Sequence, residues 1–115
     1  MARQRSPLST AILDLGRRFG YRKTVWILDF LAGWALAVRA NDWQPIDAEA
    51  YAAYWKLSRA KGFRDQQTWR DLFPDEPTPN ERIIRARAEY ERLIAEQQRE
   101  PSRAEIAAFI ATMPA

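Results

Sequence analysis

The stretch Tyr54–Arg70, YWKLSRAKGFRDQQTWR, decides how this chain is read. A small-residue run, AEAYAA (Ala48–Ala53), comes before it and a proline, Pro74, comes soon after. Leu57 and Ser58 sit between two helix-forming runs, and a serine placed there caps the second by accepting a hydrogen bond from a backbone N–H just inside it. The pattern predicts two helices joined by a tight turn, Lys56-Leu57-Ser58. Asp47 caps the first, and the second runs over Arg59–Phe73 until Pro74 ends it. The second helix is rich in cations and amides.

A pair of this kind makes specific demands. The first helix needs a small residue where the second crosses it, and the second must bury one face and expose the other. Ala52 supplies the small residue, with Tyr51, Trp55 and Leu57 as core contacts. The inward stripe of the second helix is expected at Ala60, Phe63, Gln66 or Gln67, Trp69 or Arg70, and Phe73. Gly62 and Asp65 fit that stripe poorly, and Gly62 costs ~1 kcal/mol in a helix interior relative to alanine. The outward positions then offer the groups that read DNA. Arginine pairs with guanine, glutamine pairs with adenine, and Lys, Ser and Thr suit phosphates. The expected DNA-binding set is Lys56, Ser58, Arg59, Lys61, Arg64, Gln67 and Thr68. Arg64 is the first candidate for a base contact, and Lys56 and Ser58 are candidates for phosphate. A second cluster, Arg17, Arg18, Arg22 and Lys23, adds backbone contacts if it shares that face, and Arg3 and Arg5 suit an N-terminal arm.

The run A-x-x-W-x-L-S-R-A-x-x-F-R, Ala52 to Arg64, resembles the helix-turn-helix of bacterial DNA-binding proteins. In that family Ser-Arg follows an apolar turn residue, and an aromatic-Arg pair comes shortly after. The chain departs from the pattern at the turn, where Lys56 replaces the usual glycine. It departs again in the second helix, where Gly62 and Asp65 take the places of core residues. The region from about Leu15 to Pro79 is also similar to small proteins of high-GC Gram-positive bacteria and their phages that carry no assigned activity. The resemblance implies a small helix-turn-helix regulator of transcription that binds double-stranded DNA. Glu91–Ile110 resembles the opening of an SOS-repressor type of winged helix, but the sequence ends at Ala115 with no recognition helix or wing after it. A complete second DNA-binding unit is therefore not expected.

Composition narrows the alternatives. The chain has 115 residues, with five Trp, five Phe and four Tyr, enough for one domain with a modest core. It has no Cys and no His. Disulfides, thiolate nucleophiles, Cys/His zinc sites and the commonest general base near neutral pH are thereby excluded. No Gly-rich phosphate loop is present. No enzymatic activity, catalytic residue, metal or cofactor is expected. Residues 1–70 carry a net +6 and residues 71–115 a net −3, which suits a polyanion-binding body with a solvated or partner-binding tail. The apolar run Val25–Val38 is shorter than the ~20 residues a bilayer span needs and contains Asp29, so it reads as a buried central helix. No segment reads as an export signal, and the expected location is the cytoplasm.

The expected architecture is all-α, with about six helices. Residues 1–8 form a basic arm and 9–74 a helical body whose helix-turn-helix-like unit spans 47–73. Residues 75–79 form a Pro-rich linker and 80–115 a C-terminal helical pair. Within the body, Ser9 caps a first helix that ends near Gly20, and Thr24 caps the central one over Val25–Ala40. Thr78 and Glu81 form a capping box for a long helix from Pro79 to about Gln98, and Ser102 and Glu105 form another for the last helix, which ends near Met113. Ile83, Ala86, Tyr90 and Leu93 make a 3-4 stripe on the long helix, read as a contact surface for a second copy or a protein partner. The alternative from another class is a protein-interaction module that binds through its Trp-rich body or C-terminal helices.

Overall fold

A computed structural model describes residues 7–112, and the side chains within them from Leu13 to Ala111. These residues form seven helices and no strand: α1 (Pro7–Phe19), α2 (Tyr21–Ala40), α3 (Ala48–Trp55), α4 (Arg59–Leu72), α5 (Asn80–Arg85), α6 (Arg87–Gln97) and α7 (Arg103–Thr112). The all-α expectation holds. Arg3, Arg5 and Met113 lie outside the described residues; α1 begins at Pro7, so Ser9 lies within the helix and is not its cap.

The hub is α2, with α1, α3, α5 and α7 packed around it. Its sequence explains this, since Ile27, Phe30, Leu31, Trp34, Ala35 and Val38 are buried along one face of the helix and the small residues Ala32, Gly33 and Ala37 on its other sides. Gly33 lets α3 approach. A Cβ there would come within 3.3 Å of the Trp55 indole nitrogen, which donates to the Gly33 carbonyl at 2.9 Å. The helix starts earlier than the sequence suggests. Gly20, at φ 82°, forms the corner between α1 and α2, a conformation that favours glycine. Thr24 therefore lies inside the first turns, donating its hydroxyl to the Gly20 carbonyl at 2.8 Å.

The Pro-rich segment does not hold the C-terminal helices off the body. Asn80 ties it down, accepting from the Trp34 indole N–H at 2.7 Å and the Ile46 N–H at 3.2 Å, and donating to the Ile46 carbonyl at 2.7 Å. Trp69 donates to the Glu76 carbonyl at 2.7 Å, and Arg82 grips the Glu76 carboxylate through two bonds of 2.8 and 2.6 Å. The Thr78 capping box does not form: Pro79 takes the N-cap position without a side-chain bond, and Glu81 accepts from Arg85 instead. The long helix is broken at Ala86 into α5 and α6. The stripe faces inward on both helices. Ile83, Ala86 and Tyr90 are buried in the chain's own core and Leu93 is half-buried. The stripe is thus core rather than an open surface for a second copy. The Ser102–Glu105 box does form, with reciprocal bonds of 3.2 Å.

Candidate nucleic-acid interface

The α3–α4 pair has the turn the sequence lacked at first sight. Asp47 caps α3, accepting from the Ala50 N–H at 2.8 Å, and Ser58 caps α4, accepting from the Lys61 N–H at 3.1 Å. Between them Lys56 adopts the left-handed conformation, φ 56° and ψ 39°. A lysine therefore takes the backbone state that a glycine adopts more cheaply, at a cost of about 1 kcal/mol. The Leu57 N–H closes the turn onto the Ala52 carbonyl at 2.8 Å.

Gly62 fixes the rotation of α4. It is buried, and a Cβ on it would meet the Ala52 Cβ at 2.7 Å and the Ala48 carbonyl oxygen at 2.8 Å. Gly62 is thus the point where α4 crosses α3, and Ala48 and Ala52 are the small residues that allow the crossing. Asp65 lies on the same inner side, with its side chain 13% exposed. The inner stripe is Gly62, Asp65 and Gln66, Trp69, then Leu72 and Phe73, each step about one helical turn. The expected stripe through Ala60 and Phe63 is corrected, because both residues point outward and Phe63 is 46% exposed.

Aromatic rings hold the far end of α4. Trp69 stacks on Phe30 with ring centroids 5.6 Å apart and on Phe73 at 4.3 Å. Phe73 in turn meets Phe19 of α1 at 5.3 Å. Trp69 and Trp34 are fully buried and Trp26, Trp43 and Trp55 half-buried, so the tryptophans serve packing first. The buried Tyr51 hydroxyl is pushed up to about 12, by burial first and then by the Asp65 and Asp29 carboxylates, with Arg103 opposing.

The anticipated DNA-binding residues separate into groups. Lys56, Arg59 and Arg64 are exposed, and among the described residues none has a carboxylate partner. The Arg59 guanidinium lies over the Phe63 ring, 5.4 Å from its centroid. Ser58 keeps its hydroxyl hydrogen to donate, since its cap bond uses only the oxygen. Lys61 is neutralised by Asp65 at 2.9 Å. Gln67 donates to Asp71 at 2.9 Å, and Thr68 donates to the Arg64 carbonyl at 3.0 Å. The outward set at the start of α4 is therefore Ser58, Arg59, Ala60, Phe63 and Arg64, with Lys56 at the turn.

The second cluster does not merge with this set. Arg17, Arg18, Arg22 and Lys23 are exposed at the α1–α2 corner. Arg18 lies over Phe19 at 4.7 Å and over Phe73, at the C-terminal end of α4, at 5.7 Å. Fourteen residues of α4, at ~1.5 Å of rise each, separate that end from Arg59. The two groups are distinct patches roughly 20 Å apart along the helix. Sequence reading missed Phe63 as a surface residue. Gly62 beside Ala48 and Ala52 was the signal, since a small-on-small crossing turns the neighbouring aromatic outward.

No protein-family model, curated protein or solved structure matches this chain. Among the described residues, no helix is long and apolar enough to cross a membrane.

Proposed function

We propose that the protein binds double-stranded DNA through α3 and α4, with α4 in the major groove as the recognition helix of a helix-turn-helix unit that regulates transcription. One observation carries this reading: Gly62 seats α4 on Ala52, so that Arg59, Phe63 and Arg64 face outward from its first two turns with no carboxylate on them. The N-terminal residues of a recognition helix are the ones that reach base edges. The exposed Lys56 at the turn supports the same reading, since a phosphate beside the turn suits its ammonium. Arg64 then reads a base, Arg59 reads a base or meets backbone, and Lys56 and Ser58 bind phosphate. Arg17, Arg18, Arg22 and Lys23 serve as a separate backbone contact beyond the other end of α4.

A fluorescence-anisotropy titration with random-sequence duplexes tests this. Binding should weaken steeply as salt rises, with a log–log slope of about −0.9 for each phosphate neutralised. Absence of binding to any duplex at low salt would refute the reading.

A further inference from the structure

Phe63 stands out on the outer face of α4. It is a large aromatic ring, nearly half exposed, on a helix whose buried side already holds Trp69 and Phe73. Its ring–cation contact is with Arg59 of the same helix. Ala60, one turn before it, is also exposed, so the two make a short apolar strip flanked by Arg59 and Arg64. An apolar strip between arginines that have no carboxylate partner among the described residues is ill suited to phosphate. It does suit the floor of the major groove, where one base alone in unmodified DNA presents an apolar group, the C5-methyl of thymine.

Resting on the DNA-binding reading above, we propose that Phe63 is a specificity-determining residue whose ring contacts the 5-methyl group of a thymine, with Ala60 beside it. Arg59 and Arg64 straddle the strip, and guanines next to the thymine would complete the recognised sequence. The Arg59 guanidinium, held over the Phe63 ring, is pre-positioned for its contact, so less side-chain freedom is lost on binding. The charge of the flanking arginines selects DNA over an apolar protein surface as the occupant.

The test separates this inference from its foundation. Duplexes enriched from a random library by the full-length protein are resynthesised with uracil for thymine, one position at a time. Uracil keeps every hydrogen bond and lacks only the methyl group. The wild type should lose about fourfold in affinity at one thymine of the enriched sequence, the transfer value of one buried methyl group. Phe63→Ala should bind thymine and uracil duplexes equally, and Phe63→Leu should restore part of the difference. Circular dichroism of both variants checks folding, which an exposed side chain should leave intact. If uracil is tolerated at every position while the duplexes still bind, the thymine contact is overturned and the DNA reading stands. If no duplex is enriched at all, the DNA reading itself fails.

Discussion

The two halves of the molecule treat their cations in opposite ways. From Arg82 to Arg103 every arginine meets a carboxylate: Arg82 with Glu76, Arg85 with Glu81, Arg87 with Glu91, Arg92 with Glu89 and Glu96, Arg99 with Glu105, and Arg103 with Asp29. From Leu13 to Arg70 close pairing is confined to Arg39 with Glu100 and Lys61 with Asp65, and Arg17 reaches Asp14 only at 3.8 Å. Arg22, Lys23, Lys56, Arg59, Arg64 and Arg70 carry charge with no carboxylate among the described residues to cancel it. The difference shows why net charge alone misleads. The C-terminal helices hold their arginines in ion pairs, of which the exposed i,i+4 pairs of Arg85 and Arg87 are worth roughly 0.3–0.5 kcal/mol each. The first half keeps unpaired positive charge at its surface, the feature on which the proposed DNA binding rests.

The contrast can be broken most forcefully at α4. Replacing Arg59 and Arg64 together by alanine should lower affinity for duplex DNA at least ~30-fold, since each base-reading arginine contributes about 1–3 kcal/mol. Thermal stability should be unchanged, because neither residue holds an ion pair. The matched double change in the other half, Arg85→Ala with Arg87→Ala, should leave affinity within about twofold, since those charges are already neutralised. Equal losses from both pairs, read in one anisotropy titration, would erase the contrast.

A smaller effect is expected at the turn. Lys56→Gly relieves the left-handed strain and should raise stability by about 0.5 kcal/mol in urea unfolding. The same change should weaken DNA binding about two- to threefold and reduce the salt slope by about 1. Opposite signs for stability and binding distinguish a retained phosphate contact from a merely tolerated residue.

The smallest effect tests the paired half by pH. Glu100 accepts from Arg39 and from the Tyr90 hydroxyl, and the bond from Arg39 holds its carboxyl below the ordinary 4.5. A lowered carboxyl stabilises the fold above its unfolded value, and that contribution is lost as pH falls through the folded value. Glu100→Gln should therefore flatten the fall in melting temperature below pH 4.5, while DNA binding at neutral pH stays unchanged.

Much of the fold was legible because it rests on local chemistry. The caps at Asp47, Ser58 and Ser102 and the end of the apolar α2 at Ala40 are short-range signals and form as read, although α2 begins four residues earlier, at Tyr21. Long-range contacts were not legible. Nothing near Asn80 announces that its amide joins Trp34 and Ile46, 46 and 34 residues away, and this anchoring turns an apparent linker into part of the body. The break at Ala86 is likewise invisible in a continuous helical pattern, and so is the packing that buries Ile83, Ala86 and Tyr90 in the core. At the candidate site the sequence named Arg59 and Arg64, but it could not choose the rotation of α4. That choice was made by packing, because Gly62 fits against Ala52 where a larger side chain could not, and Phe63 turns outward as a consequence.

On the proposed reading the outer face of α4 meets DNA and the arginine-rich C-terminal helices do not. Amide chemical-shift mapping of the full chain titrated with duplex DNA tests it most directly. The largest shifts are expected at Lys56, Ser58, Arg59, Ala60, Phe63 and Arg64, with a second weaker group at Arg17–Lys23 and none along Arg87–Gln97. Shifts centred on Arg87–Gln97, with the first turns of α4 unmoved, would contradict it.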